Sequence, residues 1–230
     1  HPLLKRFYHC SKNATYVIIM GFLCGFPMGA KVVAELLKSK KITEKEGQYL
    51  LCFCNNIGPV YFCSFVIPLL QISKPLPYLF GMYGIPLLYG IILRYTIYKR
   101  ELAQSEQTKL QNNKSMGLLS AMDDSIHASI QSILMLCGYM ILFNLINILP
   151  HFMIPGIHKY IAPFLEITGG LSMLQGAFVP FCMSMLTFGG LSCIAQTHSM
   201  IHGTNLSIKI YVLHKCILTA IVAFYHILLS

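Results

Sequence analysis

The sequence predicts an all-α fold: a polytopic membrane helix bundle with broken or re-entrant helices arranged as an inverted repeat. Three observations predict it. Hydrophobic residues make up 55% of the chain and charged residues only 11%, with a mean hydropathy of +0.62, whereas soluble domains carry roughly a quarter charged residues. No Asp, Glu, Lys or Arg occurs between Lys12 and Lys31, Glu46 and Lys74, Lys74 and Arg94, Asp124 and Lys159, or Glu166 and Lys209. Each interval is near or above the roughly 18–20 residues that cross a hydrocarbon core. Finally, Gly, Pro and Asn clusters interrupt several of these apolar runs near their middles, where an unbroken helix would be the cheapest structure.

The elements follow in order. Span A covers Asn13 to Leu37 and breaks at Gly25-Phe26-Pro27-Met28-Gly29, because Pro cannot continue the preceding hydrogen-bond ladder. A basic connection follows, with Lys38, Lys40, Lys41 and Lys45. Thr43, with Glu46 three residues on, predicts a capping box that opens span B. Span B runs to Leu70 and is interrupted at Asn55-Asn56-Ile57-Gly58-Pro59. Pro75 and Pro77 begin span C, which ends near Ile97. Residues 98–121 form the one long polar stretch and read as an aqueous loop. Asp123 or Asp124 is placed to cap span D, Ser125 to Leu149. His151 to Tyr160 reads as a turn. Span E, Ile161 to Ala177, is irregular, with Glu166, Gly169-Gly170 and Gln175 inside it. Span F, Pro180 to His202, breaks at Phe188-Gly189-Gly190, and span G covers Ser207 to Leu229.

Lys and Arg number 17 against 8 Asp and Glu, a formal charge of +9. Scattered between apolar spans, they fit cytoplasmic loops that obey the positive-inside bias, not a nucleic-acid surface. Placing Lys38–Lys45 and Arg94–Lys114 in the cytoplasm makes A enter, B leave, C enter, D leave, E enter, F leave and G enter. The nine cysteines read as small packing residues inside apolar runs. Cys52-Phe53-Cys54 without matching His is a poor metal signal, so no metal or cofactor is expected. No zinc-protease, serine-hydrolase or nucleotide-binding motif occurs, and no catalytic residue is expected. The opening at His1, with no preceding apolar leader segment, reads as a chain lacking its amino-terminal part.

Spans A and F are antiparallel in this order and both break at glycines. Laying Thr15–Leu37 over Pro180–His202 aligns Gly25 with Gly190, Ala30 with Ala195, Lys31 with Gln196 and Leu36 with Ile201. Inverted repeats with helices broken at corresponding positions point to a transporter's mid-membrane site. A half-helix that starts at Pro27 offers N–H groups and a positive dipole end to an anion, and Ser192 is placed to cap the equivalent half-helix of F. The candidate substrate-binding residues are therefore Gly25, Pro27, Gly29, Lys31, Asn55, Asn56, Gly190, Ser192 and Gln196. Lys31 either neutralises a substrate carboxylate or pairs with Glu35 and snorkels. Asn55 and Asn56 either line the site or join helices by hydrogen bonds. Glu166, ionisable within an apolar segment, is either a proton-coupling group or an interfacial residue.

The segments Gly25-Phe26-Pro27-Met28-Gly29-Ala30-Lys31 and Cys52-Phe53-Cys54-Asn55-Asn56-Ile57-Gly58-Pro59 resemble motifs of the YlbJ-type sporulation integral membrane proteins of endospore-forming bacteria. Leu165-Glu166-Ile167-Thr168 and Phe188 through Gln196 resemble that family's later blocks. Cys52 stands where the family usually has Ser. The resemblance implies nucleoside-recognition (gate) repeats, here residues 1–98 and 123–230 on either side of a cytoplasmic loop at 99–122. It also implies transport of a small organic anion, dipicolinic acid, across the outer forespore membrane. The partners expected are the lipid bilayer and dipicolinate, with a homo-oligomer compatible with the same reading. The alternative is a non-transporting scaffold of the sporulation machinery.

Overall fold

The computed structural model describes residues 7–8, 11–99, 102 and 118–230. Among them the regular structure is helical, with no strand. Among the described residues four helices are long and apolar enough to cross a membrane: Pro75–Tyr95, Ser125–Met153, Val179–Met200 and Ile208–Leu229. The chain is a helical membrane bundle.

Span A forms two helices, α1 (Lys12–Cys24) and α2 (Met28–Lys38). Ser11 caps α1 by accepting from the Ala14 N–H, and α1 stops at Gly25, whose φ of +79° suits a residue without Cβ. The two helices pack against each other. The Asn13 amide donates to the Lys41 carbonyl at 2.9 Å, and the Glu46 carboxylate accepts from the Ser11 N–H at 3.0 Å. The start of α1 and the end of α2 therefore share one face. This corrects the expected crossing: span A is a re-entrant hairpin. The 13 residues of α1, at 1.5 Å each, reach about 20 Å, enough to bring the tip to mid-membrane but not through it.

Span B opens as expected at Thr43, whose side chain accepts from the Glu46 N–H and caps α3 (Glu44–Leu51). The chain then unwinds and resumes as α4 (Pro59–Leu69). Helix α5 (Pro75–Tyr95) returns. Both α4 and α5 contain a π turn, Phe62–Val66 and Phe80–Gly84. Each lies just before an internal proline, Pro68 or Pro86, where a wider turn accommodates a ring that would crowd the preceding carbonyl.

Helix α6 (Leu118–Ile146) already runs through Asp123 and Asp124. These residues lie inside the helix, not at its cap, because helix begins upstream of the last polar residues. The predicted loop at 98–121 falls for the most part outside the described residues. The expected turn at His151–Tyr160 is also corrected. Helix α7 (Ile148–Met153) occupies its start, and Pro155, at the first position of α8 (Pro155–Leu165), begins another helix there.

Helices α8 and α9 (Ile167–Ser172) meet at Glu166 and fold together. A Cβ on Gly170 would strike the Pro163 backbone. This is a second hairpin. Span F follows as α10 (Val179–Phe188) and α11 (Gly190–Met200), broken at Gly189, and Ser207 caps α12 (Ile208–Leu229). Leu70–Lys74 gather with Val179 and Leu229 around one surface cavity, while Lys38, Thr43 and Gly203–Asn205 surround another. Asn205 also donates to Glu44. Residues 203–206 therefore share a face with 38–45, and the expected direction of F is reversed, because E turns back instead of crossing. The order hairpin, broken helix, helix occurs twice, as A, B, C and as E, F, G, with the two sets starting from opposite faces. This replaces the superposition of A on F.

Candidate functional site

The tips of the two hairpins, reaching in from opposite faces, meet the two helix breaks. A Cβ on Gly25 would land on the Gly58 backbone N, so breaks A and B cross backbone to backbone. A Cβ on Gly189 would come within 2.9 Å of the Phe26 ring. Gly189, at φ +84°, thus meets two demands at once, a left-handed backbone and room for an aromatic ring. Around this junction lies a cavity of about 570 Å³ lined by, among others, Phe26, Gly58, Tyr61, Glu166, Thr168 and Gln196. Its volume falls within the roughly 300–1,000 Å³ typical of small-molecule sites.

Glu166 is buried and caps α9. Its carboxylate accepts from the Thr168 N–H at 3.0 Å, the Gly169 N–H at 2.7 Å, the Thr168 hydroxyl at 2.6 Å and the Asn144 amide at 3.4 Å. Glu166 therefore lies at the tip of hairpin E, not at an interface. It fills the N-terminal position of α9 that an incoming anion would otherwise take. Asn55 acts comparably at hairpin A: its Oδ1 accepts from the Ala30 N–H in the first turn of α2 at 3.4 Å, and its Nδ2 donates to the Thr197 and Tyr211 hydroxyls.

The remaining sequence candidates divide. Gln196 lines the cavity and donates to the Ser192 hydroxyl at 3.0 Å. Ser192 lies within the first turn of α11, and the helix has no side-chain cap, so the expected cap is corrected: the helix starts from Gly189, three residues earlier. Gly25 and Pro27 flank Phe26 at the tip. Gly29 packs on the Cys54 carbonyl, and Gly190 on the carbonyls of Pro163 to Leu165. Lys31 lines a separate cavity, with its Nζ 2.8 Å from the Ala128 carbonyl and 3.8 Å from Glu35.

Sequence reasoning missed Lys215. It lies in α12, 1% exposed, with its Nζ donating to Asn56 Oδ1 at 2.9 Å and to the Thr187 carbonyl at 3.3 Å. Nζ also stands 4.6 Å from the centre of the Phe26 ring. One ammonium thus joins tip A, break B, break F and span G. The available signal was an ionisable residue within an apolar span, which marks function by default.

The chain is similar to the sporulation integral membrane protein YlbJ of Bacillus subtilis (strain 168), with 23% identity over 168 residues, 64% of this chain and 40% of that protein. It thus spans about two-fifths of the length of the curated relative it matches. The resemblance carried by the sequence motifs is to this same protein. No protein-family model and no solved structure matches the chain.

Proposed function

We propose that this chain forms the core of a membrane transporter for a small organic anion, dipicolinic acid foremost, acting in the outer forespore membrane during endospore formation. The observation that carries the reading is the cavity at which two oppositely directed hairpins and two broken helices converge. That arrangement is how secondary transporters build a mid-membrane substrate site. The sporulation context rests on the similarity to YlbJ, which is named a sporulation integral membrane protein. In this reading the tip Gly25–Pro27 with Phe26, together with Gln196, Thr168 and the Asn55-Asn56 break, forms the site. Glu166, which lines the same cavity, is the group through which a proton would couple.

A second reading, a non-transporting sporulation scaffold, draws on the complete internal bonding of Glu166 and Asn55, as a closed bundle demands. Uptake of labelled dipicolinate into proteoliposomes carrying the full-length protein separates the two. Transport predicts accumulation above protein-free vesicles. A monodisperse, folded protein that gives no accumulation would leave the scaffold.

A further inference from the structure

We propose that Lys215 is the counter-charge for a carboxylate of the ligand, and that the Phe26 ring is the cover that must move aside to expose it. This deepens the transport reading and rests on it. The first observation is an imbalance. Lys215 is sealed inside α12, yet its bonded partners are an amide oxygen and a backbone carbonyl. Among the described residues the ion pair within 4 Å is Lys31 with Glu35, and Lys215 has none. A buried lysine without an opposite charge is costly to keep charged, yet the bundle keeps one between tip A, breaks B and F and span G.

The second observation is directional. An ammonium has three N–H donors. Two are spent on Asn56 and Thr187, and the ammonium also lies against the face of Phe26. Phe26 itself lines the cavity, so the ring borders both Lys215 and the ligand space. A cation–π contact holds the charge without neutralising it, and a carboxylate oxygen in place of the ring would supply the missing negative charge. The ring sits at the tip of a hairpin, where the neighbouring residues are Gly25 and Pro27, and rests on Gly189. Glu166 and Cys193 line the same cavity. Because the Glu166 carboxylate is already spent on four donors, the ammonium is the charge left for an anion.

The test is binding of pyridine-2,6-dicarboxylate, and of its neutral diamide, to the full-length protein in nanodiscs, with folding checked by gel filtration and thermal melting. Lys215→Met is expected to weaken the dianion about 10- to 100-fold, the range for a hydrogen bond to a charged group, and to leave the diamide unchanged. Phe26→Ala is expected to bind the dianion about 2- to 5-fold tighter, the worth of the displaced cation–π contact, and faster. A folded Lys215→Met with unchanged affinity, or with equal losses for both ligands, overturns the inference while wild-type binding keeps the transport reading. If Lys215→Met does not fold, an unchanged affinity and association rate in Phe26→Ala overturns it. Wild-type protein that is folded yet binds no dianion removes the transport reading and the inference together.

Discussion

Glu166 and Lys215 show what a single residue reveals before a structure exists. Both are charges in apolar sequence, and the rule that such charges mark function picks out Glu166 readily, because Gly169-Gly170 nearby already advertises irregular backbone. Lys215 is harder to see: α12 is regular, and Lys209 and His214 make its polarity resemble a helix end. What gives Lys215 its position is Asn56, Thr187 and Phe26, from three distant segments, and no local pattern encodes that meeting. The bonding of Glu166 leads to a prediction. Its acceptors face two backbone N–H groups and a hydroxyl, so Glu166→Gln replaces one acceptor oxygen with a donor amide. We expect a loss of about 1–3 kcal/mol of stability, the cost of a buried donor left unmade, read as a lower melting temperature in detergent. An unchanged melting temperature would free Glu166 from its structural role and leave proton coupling as its sole task.

The breaks of spans A, B and F were legible at the level of elements, because Gly and Pro stop a helix by local sterics. What a break does next was not. A helix interrupted at mid-depth either continues across or folds back, and the two outcomes have the same composition and length. The choice is made by contacts such as Asn13 with Lys41, which tie the two ends of hairpin A to one face. Glycine makes the fold-back tight: a Cβ on Gly21 would collide with the Cys54 carbonyl, whereas nothing lies within 4 Å of a Cβ on Gly138 of α6. Gly21→Ala should therefore cost about 1–3 kcal/mol, as overpacking does. Gly138→Ala should gain up to about 1 kcal/mol from helix propensity alone. Equal thermal melting shifts for the two would contradict the close crossing of α1 on the break of span B.

For the molecule as a whole, a membrane bundle with broken helices was readable but its crossing order was not, since that order depends on whether E traverses or returns. Topology is directly testable. Cysteines placed at Lys40 and Asn205 should both be labelled by an impermeant maleimide from one side of sealed vesicles, and one at Ser73 from the other. Labelling of positions 40 and 205 from opposite sides would restore the earlier order. Two cysteines line the cavity, Cys24 and Cys193, and Cys193 is buried. Cys24 lines it with an exposed side chain, at the last residue before the hairpin tip, whereas the exposed Cys63, Cys137 and Cys216 lie outside it. A small, charged, water-borne alkylating reagent partitions poorly into hydrocarbon, so its attack on Cys24 clocks how often the chamber is wetted. Under the transport reading, the unmodified protein thus contains a built-in stopwatch for opening, one that a bound dicarboxylate should slow.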